Sequence, residues 1–241
     1  MSKLGDAIRR SQRVEAAPMG FGSARAAQRP SMLVGFIGDA ADLDAAVKAG
    51  ADFALVESGP APDAKDLRGK AGEIPLIVSS KLTGRDAANS LHEAGVDAAL
   101  VSDDTPASAL LIEDLGYVLT LPAAAEELYL RSLDSLNLEA VLLQTLPAPL
   151  TVAAQIELNR IAGLARKPLL CLLDAVLDKD DLQSLRAAGA VGLLTSAANV
   201  AGLKEAVAAL PPRRQRRDDR PVVSLPRGQA PAEHDDDDDD E

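Results

Sequence analysis

Short apolar runs closed by polar residues recur along the chain: MLVGFIG at 32–38, DFALVE at 52–57, PLIVSS at 75–80 and DAALVS at 97–102. YVLTL at 117–121, EAVLLQ at 139–144, PLLCLL at 168–173 and VGLLT at 191–195 continue the series. Short runs that do not alternate read as strands buried on both faces, the habit of parallel sheets. After each run the pattern changes to a helical period, as in ADLDAAVKAG, GRDAANSLHEAG, PASALLIEDLG, TVAAQIELNRIAGLAR and VAGLKEAVAAL. The chain therefore predicts eight strand–helix units.

These units repeat in pairs. AGADFALVES (49–58) returns as AGVDAALVSD (94–103) and as AGAVGLLTSA (188–197), with a weaker copy, LNLEAVLLQT, at 136–145. Gly50, Gly95 and Gly189 each end a helical pattern, where glycine suits the C′ position. Each copy is thus the junction of a helix with the next strand. A two-unit period over eight units predicts a compact, closed (β/α)8 barrel of the TIM type, built on a (βα)2 quarter repeat. At about 180 residues it is smaller than the typical barrel of about 250, so its loops are short. An open doubly wound sheet alternates in the same way, but no G-x-G-x-x-G follows the first strand, where GFIGDA stands.

The barrel spans residues 31–210. Before it, 1–30 is a basic segment in which KLGDAIRRSQRVE predicts a short helix capping the barrel's bottom and PMGFGSARAAQRP a loop. After it, 211–241 is rich in Pro and Arg, ends in DDDDDDE and predicts disorder.

Composition narrows the chemistry. Aromatics make up 2% with no Trp, so the core is Leu, Val, Ile and Ala, and aromatic platforms for bases or sugars are not expected. One cysteine, Cys171, excludes an internal disulfide and fits a reducing compartment as a small buried hydrophobe. The last seven residues carry −7 of the net charge of −12, and the remaining −5 would not seek nucleic acid. No apolar run approaches the ~20 residues of a membrane span, and the N-terminus lacks a secretory h-region. A cytoplasmic location with no membrane partner is the expectation.

In such barrels the site lies at the C-terminal ends of the strands, where the sequence places Asp39, Glu57, Lys81, Asp103, Asp104, Gln144, Asp174, Ser196 and Asn199. Glu57, Ser102 and Ser196 each lie seven residues after the repeat's glycine and so share a facing. Lys81 and Asp174 each lie six after a proline, Pro75 and Pro168, and so occupy matching posts on strands 3 and 7. Lys81, with Glu57 on the neighbouring strand and Asp174 across the mouth, is the candidate catalytic group: a Schiff-base nucleophile, a proton shuttle or an anion clamp. Glu57 and Asp174 would tune it, and Glu57, Asp39 and Asp174 are candidate Mg²⁺ ligands. Gln144, Ser102, Ser196 and Asn199 are the candidate substrate- or anion-binding residues. The strand-8 loop TSAANVAGLKEA offers free backbone amides for phosphate but lacks a glycine pair.

Plainer roles compete. Asp39 and Asp178 read as helix N-caps, Thr105 as an N-cap with Pro106 at N1, and Asp104 as a helix-dipole partner. Lys81 and Glu57 could be a structural ion pair. The two histidines are His92, on the helix after strand 3, and His234 in the tail, so neither a zinc site nor a Ser-His-Asp triad is expected. Arg213, Arg214, Arg216 and Arg217 precede the acidic run 235–241. That run could clasp them, bind a basic protein partner or raise solubility. Two functions follow: a lyase, aldolase or isomerase acting on a small anionic metabolite, phosphorylated ones included, or a non-catalytic barrel serving as a scaffold or partner-binding module through its charged termini.

Overall fold

A computed structural model describes residues 2–12, 32–57, 61–146 and 149–211, without the side chains of 61 and 62. The last residues of the expected capping helix (13–15), the expected loop at 18–30 and the tail from 212 onward lie outside the described residues. Strands β1 (Leu33–Gly38), β2 (Phe53–Glu57), β3 (Leu76–Ser79), β4 (Ala98–Val101), β5 (Gly116–Thr120), β6 (Ala140–Leu143), β7 (Leu169–Leu172) and β8 (Ala190–Thr195) close in chain order. All neighbours are parallel, and β8 returns to β1, which leaves no open edge. Around them stand α2 (Leu43–Lys48), α3 (Ala61–Ala71), α4 (Arg85–Glu93), α5 (Glu127–Ser132), α6 (Val152–Ala165), α7 (Lys179–Ala187) and α8 (Ala197–Ala208), with α1 (Lys3–Gln12) ahead of the first strand. This is the (β/α)8 barrel that the repeat predicts.

The repeat's junctions behave as its glycines require. Gly50, Gly95 and Gly189 carry φ of 87°, 82° and 102° and directly follow the last residues of α2, α4 and α7 and their C-caps. One unit departs from the helical expectation. After β4 only a short 3-10 helix, Ala107–Leu111, forms, because Ile112 is already extended and Gly116 opens β5. Tyr117 Oη donates to the carbonyl of Ala109 (2.6 Å), serving a helix end that has few residues to serve itself. Pro106, not Thr105, holds the N-cap position there, and the Thr105 hydroxyl accepts from the Ser102 amide at 3.0 Å instead. Asp39 is likewise no N-cap: Asp42 stands there, and Asp39 gives its carbonyl to the Asp42 amide. Asp178 does cap α7, accepting from the Asp181 amide at 2.8 Å.

Strand registers stack the inward side chains in layers drawn from alternate strands. Phe53, Ala98, Ala140 and Gly192 form one layer, with Gly35, Ile77, Val118 and Leu170 above it and Leu55, Leu100, Leu142 and Leu194 above that. The Phe53 ring is fully buried and takes the space that its small neighbours leave. A Cβ added at Gly35 would lie 2.4 Å from that ring, and one at Gly192 would lie 3.5 Å from it and 2.7 Å from Leu170. One large ring among Gly and Ala fills the axis of a barrel that is poor in aromatics.

The N-terminal end of the barrel is closed by α1, whose Leu4 and Ile8, one turn apart, are buried in the same cluster as the interior side chains. A second repeated device lies at this end. Two residues after Gly50 and Gly95, Asp52 and Asp97 accept the amides of Val34 (2.8 Å) and Leu76 (2.9 Å) on the preceding strand or at its start. Each is also paired with a cation from a surrounding helix, Lys204 of α8 at 2.7 Å and Arg68 of α3 at 2.6 Å. In the weaker copy the matching residue is Glu139, whose longer carboxylate instead meets the Ser2 hydroxyl and amide at the start of α1. The last copy has Val191, beside a register shift between β7 and β8.

Candidate functional site

At the C-terminal mouth the same registers place Ile37, Ser79, Thr120 and Leu172 in one inward layer, with Glu57 at the end of β2 above it and Ser102, Gln144 and Ser196 just past the ends of β4, β6 and β8. By alternation Asp39, Lys81, Pro122 and Asp174 follow at the rim. The mouth is not evenly hollow. A cavity of about 600 Å³ opens at its β3–β4–β5 side. From β3 and its loop come Ser79, Ser80, Lys81 and Thr83, from the β4 loop Ser102, Asp104 and Thr105, and from β5 Thr120.

The β4 loop is a braced wall. Its Ser102–Thr105 turn is closed twice, by the Ser102 amide on Thr105 Oγ1 and by the Thr105 amide on the Ser102 carbonyl, both at 3.0 Å. Tyr129 of α5 donates to Asp103 Oδ1 at 2.6 Å, and Tyr117 anchors the 3-10 helix beyond. The chain has two tyrosines, and both hold this loop. Burial, and then the adjacent Asp103 carboxylate, push the Tyr129 phenol well above its ordinary range, so it stays a donor in this bond. Burial likewise raises Tyr117.

The cavity's charge is simple. Lys81 is exposed at the rim and has no ion pair or hydrogen bond to any described residue. Asp104 is the carboxylate among the cavity's lining residues, and the other polar groups are hydroxyls. A cation in a lining made mostly of hydroxyls suits an oxyanion: the ammonium supplies charge and the hydroxyls supply direction.

The expected constellation is divided by this geometry. Lys81 and Ser102 line the cavity, whereas Glu57 and Asp174 do not, and no ion pair joins Lys81 to Glu57. Asp174 and Asn199 meet instead on the β7–β8 side, where the Asn199 amide donates to the Asp174 carbonyl at 3.4 Å. Ser196 holds the N-cap position of α8 without a side-chain cap bond, and Gln144 is exposed just after β6. Among the described residues no three His, Cys, Asp or Glu side chains stand together as metal ligands. The magnesium cradle expected from Asp39, Glu57 and Asp174 is therefore not assembled, since β1, β2 and β7 place these side chains at separate posts. Cys171 is buried against the helix layer, and burial pushes its thiol up to about 12.

Sequence reasoning missed Ser79, Ser80, Thr83 and Thr120 and took Thr105 for a cap. A signal for two of them was present: Ser79 stands two residues before Lys81 and Thr120 two before Pro122, so both share the facing of the rim posts.

No family model matches the sequence, and no curated protein matches it. The fold has many likenesses among solved structures. A mutant tryptophan synthase alpha-subunit from the hyperthermophile Pyrococcus furiosus superposes with a TM-score of 0.56 at 16% identity, over 73% of this chain and 96% of that one. KGPDC from Streptococcus mutans gives 0.58 at 12%, over 73% and 95%. Phosphoribosyl anthranilate isomerase from Thermus thermophilus gives 0.55 at 14%, over 75% and 100%. At these identities the likeness shows the fold alone. Among the described residues no helix is long and apolar enough to cross a membrane.

Proposed function

We propose that this barrel binds a small anionic metabolite in the β3–β4 corner of its mouth and acts on it as a lyase, aldolase or isomerase. The observation that carries this reading is the Lys81 ammonium, unpaired among the described residues, in a hydroxyl-lined cavity of about 600 Å³, within the size range of metabolite sites. Lys81 clamps the carboxylate or phosphate of the substrate, while Ser102, Thr105 and the hydroxyls of the β3 loop fix its orientation. Asp104, the carboxylate that shares the cavity, takes the place beside Lys81 first expected of its tuning partners Glu57 and Asp174, and serves as the proton-transfer group. Solved barrels of the same fold include a synthase subunit and an isomerase, which supports the reaction class by analogy of fold.

The test is a thermal-shift screen of wild type and Lys81→Ala against small carboxylated and phosphorylated metabolites. A ligand at a hundred times its Kd adds about 2.7 kcal/mol, which for a chain of this size raises Tm by about 5–10 °C. The expected result is such a shift in wild type and its loss in Lys81→Ala. An equal shift in both proteins would remove Lys81 from the site, and with it the proposal.

A further inference from the structure

A second cavity, of about 530 Å³, lies at the opposite end of the barrel, between α1 and the segments that lead into β2 and β3. Its α1 wall is one helical stripe, Lys3, Ala7, Arg10 and Ser11, while Leu4 and Ile8 on another face of the same helix plug the barrel. Leu33, Ala51, Ile74 and Pro75 make an apolar floor, and Asp52 and Glu73 complete the lining. The charges at this cavity do not cancel. Asp52 is satisfied by the Val34 amide and by Lys204. Among the described residues Lys3 and Glu73 have no partner, and Arg10 spends only its Nε, on the Asp6 carbonyl at 3.2 Å. Two uncommitted cations on the helix thus face one uncommitted carboxylate across apolar ground.

We infer that this cavity is a binding site for a small amphipathic anion, an alkyl or aryl body carrying one carboxylate or sulfonate. The hydrocarbon lies on the Leu33–Ile74–Pro75 floor, and the head meets Lys3 or Arg10. Seven residues, about 10 Å along the helix axis, separate these two cations, so each serves one end of the floor. Binding there joins α1 to the barrel's lower rim, far from the mouth, and does not depend on the function proposed for Lys81.

The probe is 1-anilinonaphthalene-8-sulfonate added to the full-length protein. Saturable enhancement with one site per chain, displaced by octanoate, is the expected result. The double variant Lys3→Gln with Arg10→Gln, both exposed positions that leave the core untouched, should bind about fivefold more weakly, with less salt dependence. Ala7→Leu, which fills the cavity from the helix side, should bind more weakly still, with its far-UV spectrum unchanged. Lys81→Ala should bind as wild type does. Unchanged affinity in the double variant, or loss of binding in Lys81→Ala, would overturn the inference, and so would the absence of saturable binding to wild type.

Discussion

Replacing Gly35 by alanine should destabilise the barrel, and the cost should vanish when Phe53 is made smaller. The added Cβ would sit 2.4 Å from the Phe53 ring, more than 1 Å inside ordinary carbon–carbon contact. The ring is fully buried between Gly35 and Gly192, and a Cβ at Gly192 would already meet Leu170, so the ring has little room to retreat. Overpacking of this kind costs about 1–3 kcal/mol. Phe53→Leu alone should cost about 1–2 kcal/mol through lost burial. In the Phe53→Leu background the alanine has space, so the double variant should be no less stable than Phe53→Leu, which gives a coupling equal to the whole cost of the alanine, about 1–3 kcal/mol. Urea unfolding followed by far-UV circular dichroism reads all four proteins, with unchanged m-values required for the comparison. Additivity of the two single effects to within about 0.5 kcal/mol would refute the packing argument.

Three further predictions concern other parts of the frame. Asp97 is 9% exposed, holds the Leu76 amide and pairs with Arg68, so Asp97→Ala should cost about 3 kcal/mol in urea melts, against less than half that for the exposed Glu127→Ala of the Arg131 pair. Thr195→Val should raise stability by about 1 kcal/mol, because the Thr195 hydroxyl is buried without a partner among the described residues and the isostere removes that penalty. The Cys171 thiol is raised from 9.0 to about 12 by burial, so the folded state keeps its proton longer than the unfolded chain does. Its stabilising contribution is complete below about pH 9 and is lost as pH climbs towards 12, so wild type should lose Tm more steeply than Cys171→Ala across that window.

The sequence revealed the frame better than the site, for a physical reason. Strand pairing in a closed parallel barrel follows from the repeat, and each apolar run could be placed because burial on both faces leaves an unmistakable pattern. The period also makes Glu57, Ser102 and Ser196 equivalent positions at the ends of β2, β4 and β8, where the structure has them. It could not foretell which rim residues meet. Lys81, Glu57 and Asp174 share an end of the barrel, yet where a cavity opens there depends on how each loop folds back. The β4 loop is set by Tyr129 reaching Asp103 from a different unit, a contact with no local signature. PASALLIEDLG carries helical spacing, but β5 begins too soon for an α-helix to complete. Phe53 reads as one more apolar strand residue until Gly35 on the paired strand β1 and Gly192 on β8 are seen to make room for it.

An anion site in the β3–β4 corner should show itself when inorganic phosphate is titrated into ¹⁵N-labelled protein and the amide resonances are followed. Saturable shifts should be confined to residues 79–83 and 102–105 and be absent from Lys81→Ala. Shifts concentrated instead at residues 196–199, at the start of α8, or shifts that persist without Lys81, would contradict it.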